Sequence, residues 1–461
     1  MSFVTRMKPI AGPPPAEGDG HLKKTLSWPH LIALGVGAIV GTGIYTLIGV
    51  AAGLAGPAVI LSFAVAGAVC AAAALCYSEM AALMPQAGSA YTYSYVGLGE
   101  LLAWVVGWSL ILEYTLVCGA VSVGWSGYAS GFLRGIVPDA LLAGGTIDLP
   151  AIFIALAVTG MLLVGTRESA TLNFILVCVK IAALAAFVAF TLPHFDASHF
   201  SPFAPFGFGA HEIDGTKYGV MGAAAIIFFA FYGFDAISTA AEEVKNPKRD
   251  LAIGIVGSMA LCTLTYMAVA ACALGAQPFE AFAKSSEPLA FVLKQLDKPG
   301  AAAVIAGAAV VAMPTVIMVM MFGQTRVFFA MARDGLLPRW LSTVNTRGVP
   351  WAVTLMTGVI AAIVSGVMPL SEIASLANAG TLAAFIATAV AVMALRRRAP
   401  DLERPFVTPL VWVVAPGAVL GCAYLFTSLS AKTITFFFIW NAIGVVAYLV
   451  YGRTRSLLAA A

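Results

Sequence analysis

Charge is what this sequence has least of. Of its 461 residues only 10% are Asp, Glu, Lys or Arg, while 61% are hydrophobic. A soluble domain carries about a quarter charged residues, so a chain this long with so few cannot solvate a globular surface. The seven cysteines (Cys70, Cys76, Cys118, Cys178, Cys262, Cys272 and Cys422) all fall inside hydrophobic blocks and none in an external loop. That excludes a structural disulfide between loops, and the thiols read as small packing groups. No CxxC pair and no His-rich spacing offers a metal site. No GxxxxGK[ST] loop, no HExxH and no nucleophile elbow flanked by His is present, so neither an enzyme nor a bound cofactor is indicated. Residues 1–29 are polar and include Pro13-Pro14-Pro15. They lack the apolar core and small-residue cleavage site of a signal peptide.

What fills the sequence instead is long apolar blocks. They run over 30–54, 57–83, 101–127, 149–165, 171–192, 218–232, 251–275, 301–331, 350–368, 373–395, 407–428 and 433–451. A membrane span needs about 20 such residues, so the expectation is an all-α membrane protein of about twelve transmembrane helices. The external stretches 193–217 and 276–300 are too short for separate domains. The second has an amphipathic look around Phe282, Leu289, Phe291 and Leu293, which predicts a helix lying over that face. The domain reading is a polar segment 1–29, one transmembrane unit 30–451 and a tail 452–461. An even helix count puts both ends on one side, and that side carries eighteen Lys and Arg against six on the other. The positive-inside rule then makes both termini cytoplasmic, in a cell inner membrane. The net charge of +3 belongs to these anchoring loops, so it marks a lipid boundary and no nucleic-acid surface.

Two spans are interrupted alike. The first reads Gly35-Val36-Gly37-Ala38-Ile39-Val40-Gly41-Thr42-Gly43-Ile44-Tyr45, and the sixth Phe231-Tyr232-Gly233-Phe234-Asp235. Gly35 and Gly37 read as helix-packing positions, whereas Gly41-Thr42-Gly43 reads as a true break. Breaks at matching places of two halves point to an inverted-repeat transporter. The repeats would cover about 30–192 and 218–395, leaving helices 11 and 12 (about 407–451) outside. Unwound backbone inside a membrane must face a cavity or a ligand. N–H groups at the start of a half-helix suit a carboxylate, and carbonyls at the end of one suit an ammonium, so the pair suits an α-amino acid. The carboxylate donors would be Thr42, Gly43 and Ile44; the ammonium acceptors would be carbonyls near Ile39, Ala230, Phe231 and Phe234. Phe231, Tyr232 and Tyr45 could close over the ligand. Asp235 reads as an N-cap of the half-helix that follows.

The stretches GAIVGTGIY, FFAFYGFDAISTAAEEVKNPKRD, YSEMAALMPQAGSAYTY and FGQTRVFFAMARDGLLP resemble the amino acid–polyamine–organocation superfamily. The closest resemblance is to its cationic amino acid transporter branch in bacterial form, from about residue 21 to 455. The resemblance implies the leucine-transporter fold, a five-plus-five inverted repeat with two extra helices, and secondary active transport of amino acids by alternating access. Tyr45 stands where the family motif usually has Phe. The larger vertebrate members have two further spans. Glu79, Glu242-Glu243 with Lys245, and Arg333-Asp334 match motifs of the cytoplasmic side, as gate networks or ordinary surface pairs; Glu79 calls for a basic loop partner. An obligatory exchanger remains a second mechanism, a cationic substrate a second specificity. A nutrient receptor would carry a signalling domain, and none is present.

Three side chains bear on coupling and specificity. Lys180 is the one charged residue from Thr171 to Leu192, about 16 Å along its helix at 1.5 Å per residue. A central lysine costs roughly 2.5–3.5 kcal/mol, which demands a partner or a function. The resemblance puts its ammonium where sodium-coupled relatives hold an ion, bonded to carbonyls between Gly35 and Val40. Burial opposes its charge and carbonyls favour it, so it can take a proton outside and release it inside: proton-coupled symport. Glu113 in the third span also needs a partner, either Lys180, another helix or a cationic substrate. Met321 in helix 8 is implied by the resemblance to wall the pocket, favouring small or medium neutral amino acids such as alanine.

Overall fold

In the computed structural model the described residues are 6–10, 26–86, 88–164, 170–239, 241, 244–343 and 349–460. Apolar runs in hydrocarbon must bond their own backbone, and helices do so within one segment. Among the described residues they form the following helices. α1 comprises Trp28–Ile39, then Thr42–Tyr45 and Leu47–Ala55. α2 is Val59–Leu83, α3 Glu100–Leu133, α4 Leu149–Val164 and α5 Ala170–Thr191. α6 comprises Val220–Ile227, a tight turn Phe228–Ala230, and Asp235–Thr239. α7 is Pro247–Ala276, and α8 joins Pro299–Ala312 to Pro314–Arg333. α9 is Trp351–Val367, α10 Leu370–Arg398, α11 Val411–Thr427 and α12 Ala431–Ala447. Eight stretches are long and apolar enough to cross a membrane, and four shorter apolar helices accompany them.

α1 packs on α7 and α5; α3 lies at the centre against α8 and α10; α4 pairs with α9. α11 covers α2 and α10, and α12 covers α3 and α10. α12 turns Phe436, Phe438, Ile439, Ile443 and Val446 outward, as a lipid-facing helix does. α8 bends at Pro314, which cannot bond the carbonyl four residues back. That carbonyl, of Val310, instead accepts the Trp125 indole N–H at 2.8 Å.

Two details depart from the sequence reading. The stretch 193–217 ends in a hairpin, His211–Ile213 paired with Thr216–Tyr218. The amphipathic region is two short helices, Phe279–Phe282 and Pro288–Gln295, with Phe282, Leu289 and Leu293 buried.

Both chain ends meet at one end of the bundle. Lys8 is buried there, and its ammonium donates to both oxygens of Asp334 at 2.8 and 2.9 Å, beside the Tyr91 hydroxyl at 2.8 Å. Arg6 lies 3.5 Å from Glu100 and donates to the Arg453 carbonyl. Glu100 also accepts from Tyr95, Tyr448 and Ser456 at 2.8, 2.7 and 2.6 Å. Asp334 therefore pairs with Lys8, while the Arg333 guanidinium lies over the Phe329 ring. Glu79 receives Arg396 through two bonds, at 2.8 and 2.9 Å, together with Arg404 at 3.2 Å and the Thr408 N–H. Burial and the neighbouring Arg396 hold Arg404 below the ordinary arginine value, against the pull of Glu79. Glu242 and Glu243 lie outside the described residues.

Candidate functional site

The inner residues of α1 unwind at Val40 and Gly41. The last regular bond is Val40 N–H to the Val36 carbonyl at 2.9 Å. Carbonyls past that point lose their helical donors, and side chains from other helices take two of them. The Lys180 ammonium donates to Gly37 O at 2.7 Å, and the Tyr266 hydroxyl to Ile39 O at 2.8 Å. Beyond the break, Thr42–Tyr45 starts a new helical turn whose first N–H groups have no helical acceptor. Tyr128 donates to the Tyr45 carbonyl at 2.6 Å, and the Tyr45 hydroxyl reaches the Lys180 carbonyl at 3.4 Å.

α6 unwinds opposite. Its turn Phe228–Ala230 ends with Phe231 N–H on the Phe228 carbonyl at 3.0 Å. Gly233 then takes φ 111°, a conformation that favours glycine. The two breaks touch. A Cβ on Gly43 would stand well inside van der Waals contact of Ala230 Cα and Cβ, and one on Gly233 would lie 3.1 Å from the Ala38 carbonyl carbon. Ile39, Thr42, Ile44, Ala230, Phe231 and Phe234 are all buried. Phe231 meets Tyr266 at 5.3 Å and Phe63 at 6.1 Å, edge to face. Phe234 faces away, onto Tyr77 and Phe385. Thr42 packs on Gly124 of α3, its hydroxyl 4.0 Å from Met313 Sδ.

Two carboxylates stand on the far side of the α6 break. Asp235 is the first residue of its helical turn; its Oδ1 accepts the Gly233 N–H at 3.1 Å and its Oδ2 the Tyr114 hydroxyl at 2.5 Å. It thus ties the break to α3 as well as capping it. Glu113 is fully enclosed, and neither of its oxygens meets a donor in bonding geometry among the described residues. Thr381 on the facing α10 donates to Ala377 instead, and the Tyr232 hydroxyl is likewise unmet. Lys180 is committed to Gly37 and forms no pair with Glu113. A buried carboxyl without a donor is a costly arrangement that calls for a role. Glu113→Gln is therefore expected to keep the fold and to alter the pH profile of transport. An unchanged profile would leave Glu113 a packing role only.

The methionines of α8 divide. Met320 lays its Cε against Gly233, 2.9 Å from where a Cβ would stand. Met321 is turned to α4, with the Thr159 hydroxyl 3.9 Å from its sulfur. Successive helical residues point about 100° apart, so one neighbour reaches the break and the other does not. In this structure Met320, rather than Met321, reaches the break of α6. Met320→Ser is expected to admit larger side chains, shown by binding of arginine or phenylalanine, while Met321→Ser leaves selectivity as it is. The reverse pattern would restore Met321.

Sequence reasoning missed Tyr266, Tyr128, Met320 and Asn378. Buried tyrosines need a partner for their hydroxyl, and Asn378 is a polar amide inside a span; those were the available signals.

A sequence profile described as amino acid permease matches residues 26–448. A branched-chain amino acid permease of Bacillus subtilis is 44% identical over 453 residues, 96% of each chain. A methylthioribose transporter of the same organism is 39% identical over 469 residues, 99% of this chain and all of that one. A vacuolar cationic amino acid transporter of Arabidopsis thaliana is 38% identical over 420 residues, 86% of this chain and 64% of its own.

Proposed function

The chain belongs to the amino acid permease family, and from that premise we propose that it moves a small or medium neutral L-amino acid inward together with a proton. It is a multi-pass membrane transporter rather than an enzyme. The termini lie in the cytoplasm, because the end where they meet is also the end rich in Arg and Lys. The membrane is the cell inner membrane. The two repeats span about 30–192 and 218–395, with α11 and α12 packed outside them.

The substrate's carboxylate would be held by N–H groups at Thr42, Gly43 and Ile44, and its ammonium by carbonyls at Ile39 and around Ala230 to Phe234. Apolar neighbours at Ile44, Phe231 and Met320 support a neutral side chain, as does the similarity to a branched-chain permease. The observation that carries proton coupling is the bond from Lys180 to Gly37. A protonated lysine ties the inner half of α1 to α5; a neutral one binds that carbonyl weakly and lets the half-helix go. The proton thus governs the inner mouth, and no sodium is needed.

The test is uptake of alanine, valine, leucine and isoleucine into proteoliposomes under an imposed pH gradient, acid outside, with and without sodium. Accumulation driven by the gradient and indifferent to sodium is expected. Sodium-dependent accumulation would overturn the coupling. Strict one-for-one exchange would make the protein an antiporter. A cationic substrate has one observation in its favour, the unmet carboxylate of Glu113, and strong competition by arginine in the unmodified protein would select it.

A further inference from the structure

We propose that Asn378 is the outer counterpart of Lys180: an uncharged latch that holds the outer half of α6 to α10 and keeps the external mouth closed. The inference rests on the alternating-access reading above and adds a residue to it.

The two latches occupy matching places. Lys180 is the eleventh residue of α5, and Asn378 the ninth of α10. α5 is the last helix of the first repeat and α10 the last of the second. Lys180 reaches across to the half of α1 that precedes its break. Asn378 reaches across to the half of α6 that precedes its break, where its Nδ2 donates to the Ala225 carbonyl at 2.7 Å and the Ile226 carbonyl at 3.3 Å. Those carbonyls close Val220–Ile227, just before the tight turn. Asn378 is fully buried, and its Oδ1 meets no donor among the described residues. Leaving half of an amide idle is costly in a buried place, so the gain lies in where the other half points.

The repeats are inverted, so the half of α1 before its break lies toward the cytoplasm and the half of α6 before its break lies toward the outside. If tilting the first opens the inner mouth, tilting the second opens the outer one. Each tilt must break the bond from the fifth helix of its own repeat. The donors differ in one respect that matters. An ammonium can lose its proton, and an amide cannot. The inner mouth is therefore released by pH, whereas the outer mouth opens without a protonation change on its latch.

Two variants test this. In Asn378→Leu both bonds are gone, and the protein should rest with its outer mouth open. In Asn378→Asp a carboxylate faces two carbonyls near neutral pH, but its protonated form can donate one bond, so the outer mouth becomes sensitive to external acid. The readout is labelling of Cys118, which lies beside Tyr232 and α8, by a membrane-impermeant thiol reagent added outside. For this readout the other six cysteines are replaced by alanine in every variant and in the reference protein. Losing two ordinary hydrogen bonds should speed labelling of Asn378→Leu about tenfold, with a lower apparent KM for external substrate. The thiolate that reacts is itself lost in acid, so each rate is divided by that of the same background with Asn378 intact at the same pH; this ratio should fall for Asn378→Asp as external pH is taken from about 8 to about 5, toward the carboxyl range. Unchanged labelling and KM in Asn378→Leu would overturn the proposal, as would a pH-independent ratio for Asn378→Asp. Lys180 is untouched in both variants, so whatever uptake remains should still respond to the pH gradient. Loss of that coupling in the unmodified protein would count against the symport reading alone.

Discussion

Lys180→Met is expected to abolish amino acid accumulation driven by a pH gradient while leaving the protein at least as stable as before. The ammonium is fully enclosed, pairs with no carboxylate among the described residues, and makes one bond, to Gly37 O. Methionine has nearly the same length and shape and no charge. Removing a buried charge spares a cost of roughly 2.5–3.5 kcal/mol on insertion scales, so the melting temperature should hold or rise. The loss falls on transport. A hydrogen bond from a charged donor is worth about 1.5–3 kcal/mol, so removing it loosens the inner half of α1 by about tenfold or more. Nothing remains for a proton to act on. Gradient-driven uptake should fall to background, while binding of substrate to the solubilised protein, followed by thermal shift, persists. The direction is specific: acidifying the interior of the vesicles should slow release in the unmodified protein and leave the variant unaffected. A variant that still accumulates substrate against a proton gradient would sink the mechanism. A variant that fails to fold would sink the claim that Met is an adequate replacement in shape.

The second large effect is at Gly43. Both Gly43→Ala and Gly43→Val are expected to lose amino acid binding. The sequence argument predicts that a Cβ there would crowd the ligand's carboxylate. The structure adds a different obstacle, since the Cβ would collide with Ala230, and the atoms in the way include Cα and, at 3.2 Å, the backbone nitrogen. Backbone cannot rotate aside as a long side chain can. The two unwound segments must therefore separate, and the donors of one move away from the acceptors of the other. Overpacking costs typically 1–3 kcal/mol, which corresponds to roughly a 5- to 150-fold loss of affinity. Thermal-shift titration with leucine or alanine measures it. Affinity within twofold of the unmodified protein in Gly43→Ala would remove the contact between the breaks from any account of binding.

The spans, both breaks and the isolated lysine were legible because each follows from a rule local to a few residues. A twenty-residue apolar run has to be helical in lipid, Gly41-Thr42-Gly43 cannot hold a helix firmly, and a lone charge in a span demands an explanation. Lys180 could be singled out without knowing what it touched. Its carbonyl partner was narrowed to a stretch of six residues, and Gly37 lies within it. What stayed hidden depends on rotation about helix axes. Met320 and Met321 are adjacent, so composition treats them alike, and only the packed angle of α8 decides which one reaches Gly233. Tyr266 and Asn378 were illegible for a related reason. Each serves a carbonyl more than 150 positions away in the chain, and no pattern around position 266 or 378 announces it. The ion pairs at the end of the bundle where Lys8 and Arg6 dock were half legible. Glu79 called for a basic partner and has Arg396 and Arg404. The adjacent Arg333 and Asp334 looked like a pair and are not, because Lys8 comes from the far end of the chain to claim the aspartate.

That last contact bears on how the molecule is made. The receptor for the first residues of the chain is assembled from its last ones: Arg6 leans on the Arg453 carbonyl, and the Glu100 carboxylate beside it is completed by Ser456. A ribosome delivers Arg6 and Lys8 hundreds of residues before Arg453 and Ser456 exist. Early domains generally settle as they emerge; Lys8 can dock once Asp334 is made, but the closure at Arg6 and Glu100 must wait for residues 453 to 456 to arrive. A nascent protein stalled or cleaved before its final span therefore displays a carboxylate at Glu100 short of donors. The contacts of Arg6 with Arg453 and of Glu100 with Ser456 thus report that translation has passed residue 456.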